Sequence, residues 1–272
     1  MVTEMDTDSA ARGQVVRSAA EIYDAFFVQS LFGQFAAPCC IAAGVGPGSD
    51  VLDAACGTGV VAREAVRRTD GRGSVTGLDI NPAMLEVARR TAGVRWVEGD
   101  IAAMPFEDGQ FDAVICQFGL MFFPDRAGTL RELYRVTAPG GRMVVAVWDA
   151  VERFPGYADL VGLLRGMFGE AAAQAELAPF VLGDPQAFAA CFADAGLEPA
   201  AMDTVAGEAR FASIEDWMTT EIRGWTLADS IDDAGFARLL SAAEGALAHH
   251  VGADGRVGFA APARIAVVRK PG

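Results

Sequence analysis

Short apolar runs and segments of helical period alternate along the middle of the chain. The apolar runs predict buried strands at 50–55, 74–79, 94–98, 111–117 and 141–148. Between them, hydrophobic residues three or four positions apart predict helices at 59–69, 82–92 and 126–137. Strands and helices that alternate in this way are typical of an α/β domain with a doubly wound, mostly parallel sheet.

The segments on either side of this core are mainly helical. Residues 19–35 carry apolar side chains at near-helical spacing, and 154–180 carry an apolar stripe. Ser213 opens a further helix through a partial capping box, and another helix is predicted at about 232–251. Two more strands are predicted within 198–211 and 256–269.

Composition and charge narrow the class of protein. The 272 residues are 52% hydrophobic, which is enough for a large core, and no run of 18 apolar residues predicts a membrane span. The acidic start lacks the pattern of a signal peptide. A net charge of −14 argues against nucleic acid as a partner, because phosphate binding depends on Lys and Arg. Five cysteines without a CxxC pair indicate reduced thiols and a cytoplasmic protein.

A glycine turn follows the first predicted strand. Asp53 lies near the end of that strand, Gly57 and Gly59 form the turn, and a helix starts at Val60. Glycine in such a turn tolerates positive φ and lets backbone N–H groups approach a ligand closely. The segment therefore resembles the nucleotide-binding loop of an α/β sheet.

A carboxylate ends the second predicted strand. Asp79 lies 20 residues after Gly59, the separation at which an acid accepts hydrogen bonds from two ribose hydroxyls. The alternative is that Asp79 caps the next helix, although Asn81 is the better capping candidate. We favour the ribose interpretation.

Five motifs in this order resemble the class I S-adenosylmethionine-dependent methyltransferases, in particular the branch of ubiquinone and menaquinone biosynthesis enzymes and many small-molecule methyltransferases. The motifs are VLDAACGTG (51–59), GLDINPAM (77–84), EGDIAAMPF (98–106), FDAVICQ (111–117) and LYRVTAPGGR (133–142). One departure is Ala55, which replaces the first glycine of the family's GxGxG; we expect it to cost little.

The resemblance implies S-adenosyl-L-methionine as the cofactor and assigns residues to it. An acid and a backbone N–H after strand three, at Asp100 and Ile101, bind the adenine, although Asp100 also suits a turn. Gln117 at the tip of strand four binds the methionine portion, and an aromatic residue of the N-terminal segment covers it. The predicted cofactor-binding residues are Tyr23, Asp53, Ala55, Gly57, Gly59, Asp79, Ile80, Met84, Asp100, Ile101 and Gln117.

Aromatic residues after strand four predict one wall of an apolar acceptor pocket, with packing beneath the next helix as the alternative. The predicted pocket residues are Phe27, Phe118, Met121, Phe122, Trp217 and Trp225. A general base is needed only if the acceptor keeps its proton; the candidates are His249, His250 and Tyr23, and no relay singles one out. The adjacent histidines are expected on different helix faces, and no spacing predicts a metal site.

The predicted architecture is a Rossmann-like, seven-stranded sheet whose last strand is antiparallel, with helical cap insertions. We expect an N-terminal helical segment covering the cofactor site (1–47), a cofactor-binding core (48–149), a core helix and strand (183–212) and a final core strand (253–272). The expected cap insertions are 150–182 and 213–252.

The resemblance predicts transfer of a methyl group to an O, N or C atom of a small, hydrophobic or aromatic metabolite. One alternative is a non-catalytic module that binds the cofactor or its product. Another is a dinucleotide-dependent oxidoreductase, which the loop disfavours because Ala62 stands where a third glycine would fall. The apolar content suits a cap or a homodimer interface equally well.

Overall fold

The structure is a computed structural model that describes residues 17–224, 227 and 230–272. Its main sheet has seven strands in the order β3-β2-β1-β4-β5-β9-β6. These strands are β1 Asp50–Ala54, β2 Ser74–Asp79, β3 Arg95–Glu98, β4 Phe111–Gln117, β5 Thr137–Trp148, β6 Ala201–Val205 and β9 Ala263–Arg269. The strand β9 runs antiparallel between β5 and β6, which confirms the predicted fold class.

Helices flank the sheet. The α-helices are α1 Arg17–Ile22, α2 Ala36–Ala42, α3 Val60–Thr69, α4 Pro82–Ala88, α5 Arg126–Val136, α6 Pro155–Phe168, α7 Glu170–Leu177, α8 Pro185–Asp194, α9 Ile214–Gly224 and α10 Asp233–Ala246. A π-helical segment, Tyr23–Phe32, joins α1 to a 3₁₀ turn that leads into α2.

Sequence chemistry explains several of these boundaries. The Asn81 side chain accepts a hydrogen bond from the Ala83 N–H, so Asn81 caps α4 as expected. Asp184 caps α8 in the same way, through the Gln186 N–H. At Ser213 the hydroxyl accepts from the Asp216 N–H, which begins α9.

The two late strands are each divided, which the sequence analysis did not predict. Segment 198–211 contains β6 and then β7 Glu208–Phe211, while 256–269 contains β8 Val257–Ala260 and then β9. β7 and β8 pair with each other in a separate two-stranded sheet. The two breaks meet at Gly207, whose carbonyl accepts from the Ala261 N–H and where a Cβ would lie 2.5 Å from the Ala261 carbonyl oxygen.

The N-terminal helical stretch lies against the sheet. Within the described residues, Ala20–Ala42 is the one helix that is long and apolar enough to cross a membrane, and 44% of its most apolar window is buried. Phe35 is fully buried and packs edge-on against Phe118 and Trp148. Core packing therefore accounts for part of this apolar composition.

The Trp96 indole occupies the space above two glycines in the first half of the sheet. A Cβ at Gly77 in β2 would lie 2.3 Å from the Trp96 ring, and one at Gly59 would lie 2.4 Å from it. Gly59 also takes a φ of 84°, which glycine adopts without strain. The two glycines therefore let the ring pack directly on the backbone.

We expect Gly77→Ala to lower the free energy of unfolding by about 1–3 kcal/mol, because the added methyl overpacks the Trp96 contact. In a Trp96→Leu background, Gly77→Ala should lower the free energy of unfolding by less. Urea unfolding of the two single variants and the double variant measures this coupling. Gly162→Ala in α6 is the matched control, because a Cβ there meets open space. Equal costs of Gly77→Ala in both backgrounds would contradict the packing explanation.

Candidate active site

A cavity of about 300 Å³ opens at the carboxyl ends of β1, β2 and β4. This is where the strand order reverses, since β1 pairs with β2 on one side and with β4 on the other. Ten of the eleven residues predicted to bind the cofactor line it: Tyr23, Asp53, Ala55, Gly57, Asp79, Ile80, Met84, Asp100, Ile101 and Gln117. The fold thus brings together side chains from distant parts of the chain.

Gly59 is the exception among the predicted cofactor residues. It is the N-cap of α3 and does not line the cavity. The Trp96 ring and the positive φ account for glycine at this position. Close packing alone explains the glycine here, and the contact of Gly59 with the cofactor stays a prediction.

The turn after β1 contains left-handed residues. Ala55 and Gly57 both have a φ of 54°. The left-handed conformation costs a non-glycine residue about 1–2 kcal/mol, so the alanine at the family's first glycine position is strained rather than free of cost. Together with Phe118 (φ 57°), Ala55 is one of two strained non-glycine residues that line the cavity.

Asp79 fixes the glycine turn. Its Oδ2 accepts the Gly57 N–H at 2.7 Å, and its Oδ1 accepts the Asn81 N–H at 2.8 Å. Burial raises the pKa of this carboxyl group, and the backbone hydrogen bonds partly offset the effect. The cap of α4 is therefore Asn81 and not Asp79, and the Asp79 carboxylate lines the cavity.

Asp53 lies beneath the same turn. It is 2% exposed, and its Oδ2 accepts the Ala62 N–H at 2.8 Å. Burial raises the pKa of Asp53 to about 7, although the Ala62 hydrogen bond opposes the shift. The carboxyl group joins β1 to the first turn of α3.

Two buried oxygen atoms at the cavity have no hydrogen-bond partner among the described residues. They are Thr58 Oγ1 and Gln117 Oε1; the amide nitrogen of Gln117 donates to the Phe32 carbonyl at 3.2 Å. An orphaned buried acceptor at the end of β4 suits a ligand that carries an ammonium group. This arrangement fits the predicted position of an amino-acid portion.

The adenine end of the predicted site has both a carboxylate and an apolar surface, as the sequence suggested. Asp100 is exposed and its Oδ1 accepts the Ala102 N–H at 2.8 Å, so the carboxylate stabilises the turn while it lines the cavity. Met84 is buried and Ile80 is half exposed at the same wall. Ile101 completes this apolar surface.

A second, smaller cavity adjoins the first and shares Tyr23, Phe118 and Phe122 with it. Phe27 also lines this cavity, so three predicted acceptor-pocket residues lie here. The Phe118 ring stacks on Trp148 with a centroid distance of 3.6 Å, which fixes an aromatic wall at the end of β4.

The other predicted acceptor-pocket residues lie elsewhere. Met121 is buried and lines neither cavity. Trp217 is fully buried between Phe211 and Phe259, at centroid distances of 5.6 and 4.8 Å, so it is a core residue and not a pocket residue. Trp225 lies outside the described residues.

Neither histidine lines a cavity, which gives no support to either as a general base. The Nε2 atoms of His249 and His250 both lie 2.8 Å from Asp159 Oδ2, so the expectation that they point to different faces is wrong. Their ligand atoms and that of Asp159 lie within 4.8 Å of one another, a grouping that no spacing along the chain indicated. These contacts join the 248–250 turn to α6.

Tyr23 is the one base candidate that does line both cavities. Burial, and then the charge of Asp79, Asp24 and Asp53, raises the pKa of its phenol far above the ordinary value. The group therefore stays protonated at neutral pH. Its chemistry is that of a hydrogen-bond donor rather than a base.

Sequence reasoning missed one acidic residue at this site. Glu221 lines the second cavity and is 4% exposed. It follows Trp217 by four residues in α9, and Met218 and Ile222 beside it are fully buried. An acid at a core-facing helical position was the signal that could have identified it.

Comparison with known proteins agrees with this geometry. A family model described as a methyltransferase domain matches residues 51–141. The relatives described next confirm the predicted resemblance to the ubiquinone and menaquinone methyltransferase branch.

The relatives are similar over part of their length. The demethylmenaquinone methyltransferase of Thermus thermophilus is 49% identical over 100 residues, which are 35% of this chain and 45% of the relative. The ubiquinone/menaquinone biosynthesis C-methyltransferase of Idiomarina loihiensis is 37% identical over 144 residues, 48% of this chain and 56% of the relative. The chain thus spans about half the length of these curated relatives.

A solved structure shares the fold over most of the chain. A candidate methyltransferase from Bacillus halodurans C-125 superposes with a TM-score of 0.59 at 20% identity, covering 88% of this chain and 100% of the other. This likeness extends the shared fold beyond the methyltransferase domain.

Asp79→Ala should weaken S-adenosylhomocysteine binding at least about tenfold, because a hydrogen bond to a charged group contributes roughly 1.5–3 kcal/mol. Isothermal calorimetry measures the loss. Glu98→Gln is the control, since Glu98 pairs with Asp79 across β2 and β3 but does not line the cavity. Unchanged affinity in Asp79→Ala would refute the ribose assignment.

Stability should fall as pH rises from 5 to 7. Burial raises the pKa of Asp53 and of Glu221 to about 7, so between pH 4 and 7 the folded state holds protons that the unfolded state has released. Each group then removes at most about 1.4 kcal/mol per pH unit. Urea unfolding at pH 5, 6, 7 and 8 measures the slope.

Asp53→Asn should flatten this slope, because the amide oxygen can still accept from the Ala62 N–H without titrating. Glu98→Gln, which removes an exposed carboxyl group instead, is the matched control. A slope that Asp53→Asn leaves intact would show that other groups carry the pH dependence.

Proposed function

We propose that the protein is an S-adenosylmethionine-dependent methyltransferase that acts on a small, hydrophobic or aromatic acceptor. The observation that carries the proposal is the pair of adjoining cavities at the carboxyl edge of the sheet. The first has the glycine turn and strand-tip acids of a nucleoside site, and the second is lined mainly by aromatic side chains. They meet at Tyr23, Phe118 and Phe122.

We propose that the residues of the larger cavity bind the cofactor in three parts. Asp79 accepts the ribose hydroxyls, Asp100 and Ile101 recognise the adenine, and Gln117 accepts from the amino-acid portion. When bound, the cofactor supplies an electrophilic methyl group on a positively charged sulfur. The protein's tasks are then alignment, exclusion of water and positioning of the acceptor.

Helices α6, α7, α9 and α10 are proposed as a cap over the acceptor. Phe154 and Tyr157 at the start of α6, and Phe180 after α7, line the second cavity together with Glu221 from α9. The segments that follow β5 thus supply one wall, while the end of β4 supplies another. Variation in these segments would set the acceptor.

The relatives act on quinone precursors by name, which supports a flat, ring-bearing acceptor here. The net charge of −14 supports an enzyme without a nucleic-acid partner. The five free cysteines support a cytoplasmic enzyme. The proposal covers transfer to an O, N or C atom, by a monomer or a homodimer. The non-catalytic module and the oxidoreductase are disfavoured by the domain match.

The deciding experiment titrates the protein with S-adenosylmethionine, S-adenosylhomocysteine and NAD by calorimetry. It then incubates the protein and S-adenosylmethionine with a panel of phenols, hydroquinones and amines. We expect binding of both sulfur ligands, none of NAD, and a methylated ring product by mass spectrometry. Binding without transfer to any acceptor would favour the non-catalytic module, and NAD binding alone would favour the oxidoreductase.

A further inference from the structure

The second cavity contains one charged side chain. Among the described residues that line it, Glu221 alone carries an ionisable carboxyl group, and most of the others are aromatic. The cavity measures about 40 Å³, room for about three waters. A cavity of this volume can hold one polar edge of an aromatic ring but not a whole acceptor molecule. A larger molecule would therefore extend from here into the main cavity along Phe118 and Phe122.

A neighbouring phenol holds the Glu221 carboxyl group in place. The Tyr157 hydroxyl donates to Glu221 Oε2 at 2.9 Å, and Tyr157 itself is 3% exposed. Burial raises the pKa of Glu221 to about 7, and the Tyr157 hydrogen bond limits the rise. The group can thus take up or release a proton near neutral pH, as a general base must.

A second buried acid lies beside this pair. Glu176 is 2% exposed, and burial together with the neighbouring Glu221 raises its pKa well above the ordinary value. Glu176 therefore stays protonated, and its Oε2 has no partner among the described residues. Glu176 and Glu221 are hydrogen-bonded to each other and titrate as a pair, with Glu221 as the member that lines the cavity.

Four acidic groups on the elements packed against α9 are paired elsewhere, and a fifth, Glu244 on α10, is exposed. The pairs are Glu21 with Arg90, Asp24 with Arg63, Glu208 with Arg210, and Asp233 with Arg223. No cation is paired with Glu221 among the described ion pairs. A buried carboxyl group without a counter-ion lowers stability, so a role at the cavity is the physical reason to retain one.

We propose that Glu221 is the hydrogen-bond acceptor and general base for the hydroxyl group of a flat phenolic or enolic acceptor, with Tyr157 as its positioning residue. The inference rests on the proposed methyl transfer, whose acceptor class it narrows. In the step, the acceptor O–H bond breaks, its electron pair stays on oxygen, and the proton passes to a Glu221 carboxylate oxygen. The resulting anion is nucleophilic at oxygen or at a conjugated ring carbon, which suits O- or C-methylation.

The test uses 2-naphthol, a fluorescent ring with one hydroxyl group, titrated into the intact protein at pH 6 and pH 8. Because a hydrogen bond to a charged group is about twice as strong as one between neutral groups, we expect binding about tenfold tighter at pH 8. Glu221→Gln should abolish this pH dependence and bind 2-naphthol about tenfold more weakly at pH 8. The ligand control, 2-methoxynaphthalene, cannot donate and should show no pH dependence with either protein.

A second variant tests the positioning role. Tyr157→Phe removes the hydrogen bond that stabilises the carboxylate, so the midpoint of the pH dependence should move to higher pH while tight binding at high pH remains. Loss of packing alone would lower affinity at every pH and leave the midpoint unchanged. Wild-type pH dependence in Glu221→Gln, or equal behaviour of 2-naphthol and 2-methoxynaphthalene, would overturn the proposal.

Cofactor binding separates this proposal from the proposed function. S-adenosylhomocysteine titration of Glu221→Gln should match the wild type, which also verifies that the variant is folded. If the wild type bound no S-adenosylhomocysteine but showed the 2-naphthol pH dependence, the methyltransferase function would fail and the Glu221 site would stand. The reverse result would remove only the Glu221 site.

Discussion

The hydrogen bond from the Gly57 N–H to Asp79 joins the first two strands at the point where the site is built. It requires Asp79 at the end of β2 and a left-handed turn after β1, and each of these depends on the parallel pairing of Asp50–Ala54 with Ser74–Leu78. The same turn begins α3, to which Asp53 is bonded from below. A shift of one residue in the register of β2 would turn Asp79 away and release the turn.

The carboxyl groups of the site are buried, and burial determines their pKa values. Asp53 and Asp79 are both taken out of water, and for each of them backbone N–H groups oppose the resulting rise in pKa. Backbone N–H groups are rigid donors, unlike the flexible side chains of Lys and Arg. The positions of the Asp53 and Asp79 carboxyl groups therefore do not depend on a bound ligand. Glu221 differs because side chains hold it, among them the Tyr157 hydroxyl, which can fix the group while it exchanges a proton.

Local pattern identified the half of the fold that consists of repeating strand and helix units. Strands β2 and β4 have the predicted boundaries, because apolar runs end there in Asp79 and Gln117 and both faces are buried. β5 begins at Thr137 rather than 141, since the Gly140 and Gly141 turn is incorporated into the strand. The divided late strands escaped prediction because the contact of Gly207 with Ala261 joins residues far apart in sequence.

The same distinction separates the parts of the site that were predicted from those that were not. The residues at the cofactor end follow strand tips, and a strand tip is a local signal. The meeting of Tyr157 with Glu221, like that of Asp159 with the two histidines, depends on how α6 packs against later helices. Such contacts between distant helices cannot be predicted from residue spacing. A charged residue on an otherwise apolar helix face does indicate one. Glu221 occupies a helix face whose other members are core residues. A buried carboxyl group at such a position needs a hydrogen-bonding partner, a proton that neutralises it, or a role in binding or catalysis.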